Sequence, residues 1–155
     1  MRIRNVHERN VGDAGAAIER IEEVWPADRW TQLRLDRPLG VGARTGRAVV
    51  REEVIDYRPH ERLVFRITEP KGLVATHQFD ADDGVLRHVV EGEVHGWMRL
   101  GWPLLVRPLH DALLEDLLDR AEGRATYTHP YSPRVRFLRW GFRKLRRRRF
   151  ERTRA

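Results

Sequence analysis

Cysteine is absent from the 155 residues, serine occurs only at position 132, and lysine occurs twice. Without cysteine the chain has no disulfide framework, no thiolate metal site and no cysteine nucleophile. Ser132 stands in a proline-flanked stretch without a G-x-S-x-G motif, which excludes the usual serine hydrolases. The Walker loop, G-x-G-x-x-G and H-E-x-x-H are missing too. The enzyme classes that these four motifs define are therefore excluded.

Long hydrophobic runs are also missing. The most apolar stretch, residues 97–109, is interrupted by two arginines and two prolines and is too short to cross a bilayer. The first residues, "MRIRNVHERN", lack the apolar core of a secretory signal. We expect a cytoplasmic protein, with peripheral contact to a membrane as an alternative location.

Positive charge is concentrated at one end of the chain. Residues 134–155 hold 11 of the 30 basic and one of the 23 acidic side chains, a net charge of +10. The remaining 19 basic and 22 acidic side chains leave the rest at −3. A polyanion partner is therefore a question for the tail and not for the body.

The order of predicted elements indicates an α+β domain. Residues 2–11 predict a strand, and "DAGAAIERIEEV" predicts a short helix with Asp13 as its N-cap. Further strands are predicted in "RAVVREEVIDY", "RLVFRIT" and the two arms of "LVATHQFDADDGVLRHVVEGEVHG". After Gly96, leucines spaced at about one turn predict a long amphipathic helix that ends at Gly123. We expect a domain over 1–125, a linker over 126–133 and a basic amphipathic or disordered tail over 134–155.

This order, with "VHERNV", "EEVIDYRPHERLVFRIT" and the hairpin running into the long helix, resembles the START-like superfamily, also called SRPBCC. That superfamily includes polyketide cyclase/dehydrase-type proteins and the birch-pollen-allergen fold. The resemblance implies a helix-grip fold, in which a curved antiparallel sheet wraps around the long C-terminal helix and a cavity between them takes an apolar ligand. It implies no particular chemistry, because the superfamily has no shared catalytic motif.

Two histidines in the hairpin form the first candidate site. With the turn centred on Asp82 and Asp83, His77 would lie directly opposite His88 on the more apolar face of the sheet. The pair could orient a ligand carbonyl or hydroxyl, or transfer a proton. The alternative is two core histidines that are hydrogen-bonded to their neighbours.

Further candidates come from the long helix and from the aromatic residues. His110 is placed either towards the same cavity or at the border of the helix. Aromatic residues proposed to line the cavity, or else to be plain core, are Tyr57, Phe65, Phe79, Trp97 and Trp102. Because zinc needs a third ligand that the pattern does not supply, we expect no metal and no cofactor. The acidic cluster Glu115, Asp116 and Asp119 is interpreted as a solvated helix face.

The tail combines basic and apolar side chains. A helical projection brings four apolar residues onto one side and leaves Phe137 and Trp140 outside it; the four are Val135, Leu138, Phe142 and Leu145. A basic helix with interleaved aromatic residues is consistent with binding to an anionic membrane. Nucleic-acid phosphates would satisfy the same charges, and a disordered solubilising tail is a further alternative. The residues predicted to make the membrane or polyanion contact are Trp140, Phe142, Arg143, Lys144, Arg146 and Arg147.

These features predict a protein that binds or transfers an apolar small molecule or lipid. The alternatives are a cyclase/dehydrase-type enzyme acting on a hydrophobic substrate, and a nucleic-acid-associated factor that acts through its tail.

Overall fold

A six-stranded antiparallel sheet is the main element of the fold in the computed structural model, which describes residues 1–47, 50–124 and 126–141. Its strands are β1 (Arg2–Asn10), β2 (Arg44–Arg47), β3 (Val50–Arg58), β4 (Arg62–Glu69), β5 (Leu73–Asp82) and β6 (Val85–Val94). They lie in the order β1-β6-β5-β4-β3-β2, so the first strand pairs with the last. The predicted α+β class is confirmed.

Two short helices follow β1, namely α1 (Ala14–Glu19) and α2 (Ile21–Val24). The N-cap prediction is confirmed, because the Asp13 carboxylate accepts a hydrogen bond from the Ala16 amide at 2.8 Å. After the sheet come α3 (Met98–Gly101), a π-helical turn (Trp102–Val106) and α4 (Arg107–Ala121), which together form the long helix. A further helix, α5, occupies residues 133–141.

The π-helical turn lies directly before the first turn of α4, which contains Pro108. Proline has no amide hydrogen, so it cannot pair with the carbonyls one turn before it, those of Pro103 and Leu104. The Arg134 guanidinium donates to both, at 3.1 Å and 2.8 Å. Arg134 thus supplies these two carbonyls with the donors that the helix lacks. This contact fixes the start of α5 against the long helix.

Two apolar clusters fill the space between the sheet and the long helix. The first lies around α1, α2 and the C-terminal half of α4, and includes Phe65, Phe79, Leu114 and Leu117. The second lies at the other end, around Val90, Met98 and Trp102. On β6, His88 stands between Leu86 of the first cluster and Val90 of the second. A polar layer therefore separates two apolar cores.

The predicted register of the β5–β6 hairpin is wrong by two residues. His77 pairs with Val90, and His88 pairs with Phe79. The two-residue turn is Asp83-Gly84, with φ of 44° and 76°, and not Asp82-Asp83. Two consecutive positive φ values suit a tight hairpin turn, and glycine adopts the second without strain. Because side-chain direction repeats every two residues, a shift of two still leaves both histidines on one face.

The acidic residues of α4 correct a second interpretation. Asp116 and Asp119 are each only 1% exposed, and Glu115 is half-buried, so they do not form a solvated face. Asp116 accepts hydrogen bonds from Arg29 at 3.0 Å, from Trp30 at 2.6 Å and from the Tyr131 hydroxyl. Asp119 accepts from Arg9 at 2.6 Å and from the Thr128 amide at 2.7 Å. The pair Asp116 and Asp119, the acidic anchor, thus attaches residues 126–131 to the body.

Cations stacked on aromatic rings extend that attachment. The Arg29 guanidinium lies 4.3 Å from the ring centre of Tyr127 and 4.1 Å from that of Tyr131. Arg139 of α5 lies 4.4 Å from the ring of Trp30 and 4.2 Å from that of Tyr131. Such contacts are favourable when the groups are partly desolvated. Residues 126–141 therefore pack on the body, and the linker and tail boundaries stay predictions. None of the helices in the described part of the chain has the length and apolarity needed to span a bilayer.

Candidate functional site

Four histidines meet between the sheet and α4, and we call them the histidine cluster. They are His7 on β1, His77 on β5, His88 on β6 and His110 on α4. The His110 ring centre lies 5.0 Å from that of His88, 5.4 Å from that of His77 and 5.9 Å from that of His7. His77 and His88 are 5.4 Å apart. The strand register explains the meeting, because His7 is the direct partner of His88 across β1 and β6.

His7 is held between two carboxylates of α4. Its Nε2 atom lies 3.1 Å from Asp111 Oδ1, and its Nδ1 atom lies 3.3 Å from Glu115 Oε1. Burial alone would lower the pKa of His7, but Asp111 and Glu115 together raise it above the ordinary value of 6.5. Arg9 in turn donates to Glu115, which fixes that carboxylate in place. His7 is thus the member of the cluster whose charged form the neighbouring carboxylates favour.

His110 has the opposite environment. Its side chain is 7% exposed, and neither ring nitrogen has a hydrogen-bond partner among the described residues. The Asp111 carboxylate oxygen is 3.7 Å from its Nδ1 atom, which is beyond hydrogen-bond distance. Burial, followed by the neighbouring His77 and His7, lowers the pKa of His110 to about 4, against the pull of Asp111. His110 is therefore neutral at pH 7, with two nitrogens available.

The remaining contacts of the cluster are with a buried acid and two aromatic rings. His77 Nδ1 lies 2.7 Å from Oε1 of Glu52, a β3 residue that is 2% exposed. The Phe79 ring centre is 4.5 Å from that of His88, and the Trp102 ring centre is 6.4 Å from that of His110. Polar groups in an apolar enclosure of this kind are characteristic of small-molecule sites.

The structure brings together most of the predicted ligand-binding residues. The rings of His77 and His88 lie next to each other, and Phe79 packs against His88. Trp102 lies beside His110, and Phe65 is the strand partner of His77. Two predicted residues lie elsewhere. The Trp97 side chain is 65% exposed at the start of α3, and the Tyr57 hydroxyl donates to Glu19 at 2.7 Å. Trp97 therefore does not line the interior, and the Tyr57 hydroxyl binds to α1 while its side chain packs against the first apolar cluster.

Of the predicted tail contacts, only Trp140 is described. Its side chain is 53% exposed, and its ring stacks on that of Phe137 at 6.0 Å. The other predicted contact residues lie outside the described residues, namely Phe142, Arg143, Lys144, Arg146 and Arg147.

Sequence reasoning missed His7, Asp111, Glu115 and Glu52. His7 alternates with Ile3 and Asn5, which point inwards, so a signal was present in the first strand. It could not be used without knowing that β1 pairs with β6. Asp111 and Glu115 are four residues apart and therefore share one face of α4. Both offer carboxylates to the strand that carries His7.

A surface cleft of about 550 Å³ lies on the other side of these carboxylates, between the long helix and residues 129–135. Its walls include Arg107, Asp111, Glu115, His129 and Tyr131. Asp111 and Glu115 therefore line the cleft and also contact His7. These two carboxylates lie between the surface and the histidine cluster.

One group of side chains has the composition of a metal site. His7, His110 and Asp111 each offer one ligand atom, and these atoms all lie within 4.8 Å of one another. This group contains neither His77 nor His88, the pair for which the sequence pattern supplied no third ligand, and it is reached only through the pairing of β1 with β6.

Solved structures of similar shape identify the fold. Ginseng major latex-like protein 151 from Panax ginseng aligns with a TM-score of 0.60 at 10% identity, over 79% of this chain and 97% of that one. CalU16 from Micromonospora echinospora aligns with a TM-score of 0.54 at 15% identity, over 91% and 81%. A point mutant of Thalictrum flavum norcoclaurine synthase in complex with a transition-state analogue aligns with a TM-score of 0.54 at 14% identity, over 79% and 94%.

No protein-family model matches the sequence, and no curated protein matches it significantly. The class defined by the architecture is the helix-grip fold, a curved antiparallel sheet wrapped around a long helix. The chain has the fold of the START-like, or SRPBCC, superfamily, and that predicted resemblance is confirmed.

Proposed function

We propose that this protein binds a small, largely apolar molecule between the sheet and α4, with the histidine cluster as its polar contact. The observation that carries the proposal is His110, a buried imidazole whose two nitrogens have no hydrogen-bond partner among the described residues. Buried polar atoms are normally paired, and an unpaired one costs about 1–3 kcal/mol. A ligand hydroxyl or carbonyl in the layer between the two apolar clusters would supply the missing partner.

Entry of a ligand requires the long helix to move away from the sheet. The π-helical turn at Trp102–Val106 is the place where this helix is irregular, and π turns occur frequently at functional sites. Within this turn Trp102 is buried in the second apolar cluster, whereas Leu104 is exposed. Outward movement of Trp102 would open the interior next to His110.

Nile red, a neutral solvatochromic dye with a carbonyl acceptor, tests this proposal on the full-length chain. We expect saturable binding to one site with a blue-shifted emission. His88→Leu should weaken binding about fivefold, the equivalent of one hydrogen bond of about 1 kcal/mol. His95→Leu, which changes an exposed histidine outside the cluster, is the matched control. Absence of saturable binding, or equal affinity of the folded His88→Leu variant, would reject the interior site.

A cyclase/dehydrase-type enzyme is the second candidate, and one observation favours it. The same site raises the pKa of His7 and lowers that of His110, although the two rings are only 5.9 Å apart. Environments that drive two pKa values apart provide an acid and a base at one pH. In an enzyme, His7→Gln should reduce turnover of a hydrophobic substrate by about 10² to 10⁴ while binding changes little. Parallel losses of turnover and binding would leave only a binding role.

We further propose that α5 and the basic tail contact an anionic membrane surface. Exposed apolar side chains occur on both helices that Arg134 joins, namely Trp97, Leu100, Leu104, Phe137 and Trp140. The +10 charge of residues 134–155 adds electrostatic attraction, of about 1 kcal/mol for each basic residue near the surface.

Vesicles of phosphatidylglycerol and phosphatidylcholine test the membrane contact. At high salt Trp140→Ala should weaken binding more than Val74→Ala, a control that removes another exposed apolar side chain from β5. Binding to nucleic acid that disappears with salt and ignores Trp140 would favour phosphate recognition instead. Indifference to both partners would reject the contact.

A further inference from the structure

We propose that His7, His110 and Asp111 form a binding site for one divalent transition-metal ion such as Zn²⁺. The ligands come from two elements, β1 and α4, and their candidate atoms lie within 4.8 Å of one another. The proposal goes beyond apolar ligand binding and does not depend on it.

The distances between the ligand atoms fit a small ion. Zinc binds imidazole nitrogen and carboxylate oxygen at about 2.0–2.2 Å, which puts neighbouring ligand atoms of a tetrahedral site about 3.3 Å apart. Asp111 Oδ1 is 3.1 Å from His7 Nε2 and 3.7 Å from His110 Nδ1. Movements of a few tenths of an ångström by these side chains bring both distances to the required value. The His7 and His110 nitrogens, which lie within 4.8 Å of each other, must also come closer.

The orientation of His7 supports the same conclusion. Its Nδ1 atom faces Glu115, so the Nδ1–H group can donate to a carboxylate while Nε2 points at Asp111. Metal-binding histidines almost always have this arrangement, in which a carboxylate or carbonyl fixes the ring and its tautomer. Arg9 holds Glu115, and the Asn5 amide donates to Asp111 at 2.5 Å. A metal ion would replace the proton that otherwise lies between His7 and Asp111.

His110 supplies an independent observation. Its side chain is more than nine-tenths buried, and its Nδ1 and Nε2 atoms have no hydrogen-bond partner among the described residues. Coordination would satisfy one of these nitrogens at once. The donor set of two imidazoles and one carboxylate suits zinc, cobalt or iron better than calcium or magnesium, which prefer oxygen ligands.

Three protein ligands leave one position of a tetrahedral ion for water or for a ligand atom. His77 and His88 have ring centres 5.4 and 5.0 Å from that of His110, so this position belongs to the same polar layer. An ion here would place a strong electrophile beside the proposed ligand site.

Tag-free, chelator-treated full-length protein provides the test, with calorimetry for Zn²⁺ and visible absorption for Co²⁺. We expect one ion per chain and a cobalt spectrum typical of nitrogen and oxygen ligands. His7→Gln and Asp111→Asn should each weaken binding by more than about 100-fold. Glu115→Gln, which changes the carboxylate on the Nδ1 side of the His7 ring, should weaken it by about 10- to 100-fold. His95→Gln, at an exposed histidine outside the cluster, should change nothing.

Circular dichroism on every variant separates loss of ligands from loss of fold, and Asp111→Asn keeps the size of the side chain and one acceptor oxygen. Wild-type binding that is unchanged in both His7→Gln and Asp111→Asn would overturn the proposal, as would absence of binding in the wild type. Nile red binding without Zn²⁺ binding would reject only the metal site, and the reverse result would reject only the apolar ligand.

Discussion

Helix α4 presents buried polar residues on two sides, and the two groups differ in how completely they are paired. On one side, the acidic anchor receives donors from Arg9, Arg29, Trp30, Thr128 and Tyr131. On the other side, His110 is buried to a similar degree and has no hydrogen bond among the described residues. Both sides of α4 therefore bury polar groups, but within the described part of the chain only the acidic anchor has hydrogen-bond partners for them.

That difference distinguishes residues that stabilise the fold from residues that are available to bind a ligand. A buried carboxylate surrounded by donors holds segments together, and its removal leaves other groups unpaired. A buried imidazole without hydrogen-bond partners lowers the stability of the fold and remains available to bind a ligand or a metal ion. We therefore interpret the acidic anchor as structural and the histidine cluster as the functional layer.

The largest expected effect is on the structural side. Asp116→Ala leaves the Arg29 cation and the Trp30 and Tyr131 donors without their acceptor, at a cost of about 3–5 kcal/mol in the free energy of unfolding. Urea unfolding followed by tryptophan fluorescence measures this cost, because Trp30 is at the contact. Glu61→Ala, at an exposed acid, is the control. A loss below about 1 kcal/mol, the size expected of an ordinary surface pair, would show that residues 126–141 are not anchored through Asp116.

The acidic anchor also shows where prediction from sequence stops. Leucine spacing placed α4 correctly, but the same pattern assigned Asp116 and Asp119 to solvent because they are charged. Their burial depends on Trp30, Thr128 and Tyr131, which are 9 to 86 residues away in the chain. A helical pattern describes one element and does not contain the partner that covers it.

The histidine cluster was predictable in part for a related reason. Alternation along β5 and β6 placed His77 and His88 on one face correctly, because that property has a period of two. The register was missed, since it depends on the Asp83-Gly84 turn and its positive φ values. His7 was missed because β1 reaches β6 only through pairing of the first strand with the last. The local sequence pattern predicts on which face of the sheet a side chain lies. Its neighbours on the next strand depend on long-range pairing, which the local pattern does not contain.

An intermediate effect is expected at alkaline pH. Burial and the Asp116 carboxylate raise the pKa of Tyr131 to about 12 from an ordinary value of 10. Above pH 10 the unfolded chain releases this proton first, so the contribution of Tyr131 to stability is present below pH 10 and lost as the pH approaches 12. Because Tyr131 is only partly buried, we expect solvent screening to limit the loss to about 1 kcal/mol.

Urea unfolding of wild type and Tyr131→Phe between about pH 9 and pH 12 measures this difference. The Tyr131→Phe variant should lose less stability over this range, because it has no phenolic proton to release. In an Asp116→Asn background the two pH profiles should come closer together, since the carboxylate is gone and only the effect of burial on the Tyr131 pKa remains. Identical pH profiles of wild type and Tyr131→Phe would show that the hydroxyl is not coupled to Asp116.

The smallest effect on stability is expected at His110. A small change in the free energy of unfolding there would distinguish His110 from the structural residue Asp116. Its low pKa of about 4 makes the side chain neutral at pH 7, so His110→Leu removes no charge, and with no hydrogen bond to its nitrogens among the described residues it breaks none. Replacing an unpaired polar group by an apolar group of similar size is neutral or stabilising, so we expect the free energy of unfolding, measured with a chelator present, to stay constant or to rise by about 1 kcal/mol. The same variant should lose Zn²⁺ and weaken Nile red binding, which combines preserved stability with lost function. A loss of about 2 kcal/mol or more, typical of a disrupted core contact, would instead place His110 with Asp116 among the structural residues, and the difference between the two sides of α4 would disappear.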